Sequence, residues 1–127
     1  MIPTLIRAFE ANAAIAAYKI VKFSDVAASS KVAPATTNAD PFVGVTGSLA
    51  TASGDMADVL LTGIALVTLG GTVTAGAMLT ADASGNAIVA VPTAAVFMSV
   101  IGRALAPGVA GDVIEVLLEN SAFYRGT

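Results

Sequence analysis

The 127-residue chain contains no cysteine and no histidine. The first absence removes disulfides and thiolate metal sites and leaves the redox compartment unmarked. The second removes the commonest metal ligand and the commonest general base. Charge is scarce as well: 12% of residues are Asp, Glu, Lys or Arg, about half the usual share of ~25%. The six basic residues form no run and the net charge is −3, which argues against a nucleic-acid partner, since that needs clustered Lys and Arg. No apolar stretch reaches the roughly 20 residues of a membrane span. The best candidate, residues 87–101, is shorter and carries Pro92 and Thr93, so it reads as buried strand. Residues 1–7 lack a basic region followed by an apolar one, and no secretory signal is read there.

What remains is small and apolar. Hydrophobic residues make up 56% of the chain, and 27 of them are alanine, so the core is assembled from many small pieces. The length suits a single domain, residues 1–127, large enough to bury a core without staples. So few charges over so much apolar surface favour self-association or docking on a partner.

One pattern occurs twice. Gly54-Asp55-Met56-Ala57-Asp58-Val59-Leu60-Leu61 returns fifty-seven residues later as Gly111-Asp112-Val113-Ile114-Glu115-Val116-Leu117-Leu118, with five of eight positions identical. Each copy opens on a Gly-Asp turn signal and runs into an apolar, strand-forming segment. Each follows an apolar pair and a glycine, Phe42-Val43-Gly44 and Val100-Ile101-Gly102. Laid over each other at an offset of 58, later 57, residues 8–61 and 63–119 read as pseudo-repeated halves, with Pro34 meeting Pro92. The implied architecture is all-β: a small antiparallel barrel or sandwich with an internal pseudo-two-fold duplication and one shared core.

Between these marks the chain is β grammar. Residues 1–7 read as an extended N-terminal arm, or as strand completing the barrel's own edge. Residues 8–17 have helical propensity through their alanines but neither cap nor apolar stripe, and strand and helix both stay open there. Residues 18–23 alternate as a half-buried strand with Lys19 and Lys22 on the wet face. Residues 47–54 read as an exposed loop. Gly63 marks a bulge or bend within the run 58–69. Residues 78–81 and 87–91 flank Asp82-Ala83-Ser84-Gly85-Asn86 as a hairpin, and the last strands fall at 96–105, 112–119 and 122–124.

Nothing here assembles a nucleophile, a base and oxyanion donors. Asp55 with Asp58, and Asp112 with Glu115, are carboxylate pairs three residues apart, which in a strand face opposite ways and do not converge. The 82–86 segment departs from a calcium loop in the place of its glycine and in lacking the closing Glu. Gly70-Gly71 and Gly76 are followed by no helix and no phosphate-reaching Lys. No lysine sits at a hairpin tip, as a swinging-arm carrier would require. The reading is a non-enzyme with no catalytic, cofactor or metal residues and no small-molecule substrate. The candidate contact residues lie at the ends: Ile2, Pro3, Leu5, Ile6 and Arg7, then Phe123, Tyr124 and Arg125, because termini beyond a core dock on neighbours and aromatic and Arg side chains are enriched at interfaces.

Residues 63–67, 70–82 and Gly85, followed by Ile101-Gly102-Arg103-Ala104-Leu105 and residues 111–118, resemble the capsid cement, or head decoration, proteins of tailed bacteriophages. The resemblance implies a β-rich virion subunit made in the host cytoplasm. It would bind the outer surface of the assembled shell as a homotrimer, with the major capsid protein as partner, and would stabilise the capsid. The alternative is another non-catalytic phage structural β module, from a tail or a host-contacting surface.

Overall fold

The computed structural model describes residues 2–24, 31–91 and 97–124. The fold is all-β; among the described residues there is no helix and there are nine strands: β1 (Ile2–Ala11), β2 (Ile20–Phe23), β3 (Lys31–Pro34), β4 (Phe42–Thr46), β5 (Met56–Thr68), β6 (Met78–Ala81), β7 (Ala87–Val89), β8 (Phe97–Ala104) and β9 (Val113–Tyr124). The alanine-rich stretch 8–17 supplies the end of β1 and then an irregular segment held by the bridge Ile15↔Thr51. Cross-strand pairing of Ala8 with Asp58 and Phe9 with Ala57 outweighs the weak helical preference of alanine.

The first five strands close a barrel. Their order is β1-β3-β2-β4-β5, and a further antiparallel pairing of β1 with β5 completes the ring. Alternation then sends every second side chain inward. Phe9, Ala11, Ile15, Val21, Val32, Val43, Ala57 and Val59 form its buried core. Phe23 packs against them, its ring edge-on to Phe9 at 6.1 Å.

β5 does not stop at the end of this barrel. It passes Gly63, where φ is +95°, and moves its pairing from β4 to β9. A second lobe follows in the order β5-β9-β8-β6-β7. Its last gap is spanned by the parallel bridge Leu69↔Ala87, the counterpart of Ala11↔Val32 between β1 and β3. The ladder registers of the two lobes match. Ile20↔Val45 and Val21↔Gly44 recur as Met78↔Arg103 and Leu79↔Gly102. Val45↔Leu60 and Thr46↔Val59 recur as Arg103↔Leu117 and Ala104↔Val116. The run from Ile6↔Leu60 to Glu10↔Met56 recurs as Ile64↔Leu117 to Thr68↔Val113. Even the isolated bridge Ile15↔Thr51 has its partner in Val73↔Gly108.

Of the two readings of residues 1–7, residues 2–7 take the one that completes the barrel's own edge: Ile2 pairs with Ile64 and Arg7 with Val59, because β5 is long enough to offer an edge to all of β1. Two expectations change. Pro34 does not match Pro92. It pairs with Val21, and the equivalent pair is Leu79↔Val89, since the second hairpin returns after a shorter turn; Pro92 lies outside the described residues. Instead of one shared core there are two large clusters. The larger combines the second lobe's interior (Val67, Leu69, Leu79, Ile101, Val116) with Ile20, Ala35, Val45 and Leu60 from the outside of the first.

A polar clasp holds the β3–β4 connection. Asp40 accepts hydrogen bonds from the N–H groups of Thr36 (2.8 Å) and Thr37 (3.0 Å) and from the Thr37 hydroxyl (2.9 Å), with Lys22 Nζ 3.5 Å away. Partial burial works against the carboxylate, but these donors and the Lys22 charge outweigh it and hold the pKa below the ordinary 3.8. A depressed carboxylate pKa contributes stability that is complete above the unfolded value and lost as pH falls through the folded one. Acid should therefore loosen this loop only below about pH 4. Asp40→Asn should cost on the order of 1 kcal/mol at neutral pH and flatten the acid limb of a denaturant-midpoint-against-pH curve. An unchanged limb would remove the clasp from the account.

Candidate docking surfaces

Among the described residues no group of three or more acidic side chains is placed to hold a metal ion. In the 82–86 turn, Asp82 Oδ1 accepts the N–H groups of Ser84 (2.8 Å) and Asn86 (3.0 Å), and Gly85 takes φ +76°. That carboxylate is committed to shaping the hairpin.

An open groove of about 320 Å³ lies on the first lobe, lined by Ile6, residues 47–51, Asp55, Met56, Asp58 and Leu60. Its walls carry exposed apolar side chains, Ile6 at 49%, Leu49 at 78% and Met56 at 61%. Asp55 and Asp58 both border it, contrary to the expectation that they diverge. Asp55 precedes the first residue of β5, so strand alternation does not govern where it points. Asp55 and Asp58, with Ser48 and Thr51, supply the polar part of the lining, and Ile6, Leu49, Met56 and Leu60 the apolar part.

Of the terminal candidates, Leu5 and Ile6 are exposed to about half, and Arg7 is exposed with its guanidinium carbon 4.6 Å from the Phe9 ring centroid. This cation–π contact lays the side chain over the barrel's end. Ile2 and Pro3 are paired in the ladder with Ile64 and Gly63. Phe123 and Tyr124 belong to β9, paired with Met98 and Phe97, and Arg125 lies outside the described residues. β5 runs between the two candidate segments, since Gly63 pairs with Pro3 on one edge and Leu118 on the other.

A second surface was missed by the sequence reading. Met78 is exposed to 37%, and its ladder partner Arg103, also exposed, donates from Nη1 to the Gly76 carbonyl at 2.8 Å. The signal was present in the duplication itself: at the offset of 58, Met78 falls on Ile20 and Arg103 on Val45.

No family model and no curated protein matches the sequence. Among solved structures the chain is similar to the N base of the head fibre gp8.5 of bacteriophage phi29, with a TM-score of 0.69 and 17% sequence identity over 95% of this chain and 98% of that one. At that identity the likeness is one of fold, and it spans both lobes from end to end.

Proposed function

We propose that this chain is a structural protein of a tailed-phage virion that binds the outside of the assembled head through the major capsid protein, as a homotrimer, and stabilises the shell without catalysis. The observation that carries the reading is the fold shared over nearly the whole of both chains with a protein described as a head fibre base. The sequence resemblance to head decoration proteins points the same way. So do the exposed apolar side chains of the groove and of the Met78 surface, spread over a chain poor in charge. Residues 1–127 act as one domain whose two lobes come from a duplicated unit, which the matched ladder registers support.

A ligand that binds the assembled shell in preference to its parts stabilises it by RT ln(1 + [L]/Kd) per site, about 2.7 kcal/mol at a hundredfold excess over Kd. A trimer bridging several capsid subunits gains further through effective concentration, so individually weak contacts suffice. Purified protein added to undecorated heads should bind to saturation and raise the temperature at which they release their genome. Heads that leave the protein in the supernatant, or that break at the same temperature with every site filled, refute the reading.

A further inference from the structure

The lobe–lobe contact joins two unlike faces. On the first lobe it uses an outer row crossing three strands, Leu60–Val45–Ile20, while Ile6, next in the row on β1, stays exposed. Leu60, Val45 and Ile20 are 2%, 0% and 0% exposed. They join the second lobe's cluster, whereas their strand neighbours Val59 and Val21 point into the first lobe's own core. Backbone bonds fix the contact, Ile20 N–H to the Gly85 carbonyl and Thr68 N–H to the Tyr18 carbonyl, both at 2.9 Å. On the second lobe it uses the end of the interior, where Ala65 is fully buried in that same cluster.

A contact between unlike faces leaves one of each unused. The second lobe has its own outer row, Ile64–Leu117–Arg103–Met78, in the same register, and the first lobe has its own open end at Arg7. A heterologous contact that does not close propagates from copy to copy, and stacked arrays end only where terminal units carry a polar face. Both unused faces carry an arginine at the decisive position. Arg103 stands where the first lobe has buried Val45, and Arg7 stands where the second has buried Ala65.

We propose that Arg7 and Arg103 are end caps that keep a second copy of this chain from seating its first lobe on this copy's second lobe in the way the two lobes seat on each other. Repeating the internal contact between copies brings the two guanidinium groups into one apolar interface, where unpaired like charges are strongly unfavourable. Each guanidinium is meanwhile held on its own lobe, Arg103 by the Gly76 carbonyl and Arg7 over Phe9. Their stems cover apolar surface while the charge stays wet.

Sedimentation velocity on the full chain over a wide concentration range tests this. R7A/R103V gives each face its counterpart's residue, and it should stack, with a weight-average mass rising roughly twofold or more above the parent's as concentration increases. R7E is at an exposed position and leaves the cores untouched. It places a carboxylate opposite Arg103 of the next copy and should also stack, in a manner reversed by salt, while R7E/R103E should return to the parental size. The cap proposal is overturned if R7E and a folded R7A/R103V both sediment as the parent does, or if R7E/R103E associates as strongly as R7E. These outcomes are independent of whether the parent is a trimer and of what it binds.

Discussion

Gly44→Ala and Gly102→Ala should each rank among the most damaging single substitutions the chain can carry. A Cβ at Gly44 would lie 2.2 Å from the Leu60 carbonyl oxygen and 2.9 Å from Val59 Cγ1; at Gly102 it would lie 2.1 Å from the Leu117 carbonyl oxygen and 3.1 Å from Val116 Cγ1. The obstacles are backbone atoms of the neighbouring strand, so no rotamer change relieves them. Relief requires parting β4 from β5, or β8 from β9. Overpacking a core costs about 1–3 kcal/mol when side chains can shift, and more when backbone must move; both variants should fall at or above the top of that range in urea unfolding. Gly47→Ala is the control, because its nearest obstacle is Leu60 Cδ1 at 3.9 Å, and it should lie close to the parent. A Gly44→Ala chain as stable as the Gly47→Ala one would mean that the strands do not approach this closely.

The second large effect separates two leucines with the same neighbours in sequence. Leu60 is 2% exposed between the lobes, whereas Leu117, in the same row of the second lobe, is only half-buried. Leu60→Ala should cost about 2–5 kcal/mol, the range for a buried leucine whose site cannot collapse. Leu117→Ala should cost clearly less, since part of its surface already meets water. Equal losses would indicate that the outer row of the second lobe is covered in solution, and would count against the end caps as well.

How much of this was legible in the sequence follows from how local each signal is. The Gly-Asp turns, the 82–86 hairpin and the paired glycines at 44 and 102 are set by a few neighbouring residues, and each was readable. The antiparallel pairing of β1 with β5 was not, because Ile2 and Ile64 are far apart in the chain and any apolar strand would have served as partner on pattern alone. The alignment of Pro34 with Pro92 failed because the second hairpin is shorter, a change that identity counts over an alanine-rich stretch cannot register. Tyr18 sits at φ +59° where its counterpart Gly76 sits at +86°. A left-handed tyrosine is sterically costly and is imposed by its surroundings, so propensity gave no hint that the two positions are equivalent. Of the proposed contact residues, Leu5, Ile6 and Arg7 are exposed at the barrel's end. Leu49 lies in the stretch 47–54 that reads as an exposed loop, but the groove residue Met56 and the surface at Met78 were not anticipated, since an exposed apolar side chain looks in sequence like one more core residue.

The shared strand has a consequence for how the molecule comes apart. β5 is a wall of both lobes, with Met56 to Leu60 in one ladder and Gly63 to Thr68 in the other. Neither lobe keeps its last strand if the other gives β5 up to solvent. The row that seals the junction belongs to the first lobe in sequence and to the second lobe's cluster in packing. Two cores in separate domains would melt independently; two cores threaded on one strand open together, as a single cooperative unit. A chain built this way should therefore melt in a single transition, with one half's resistance to heat tied to the other's.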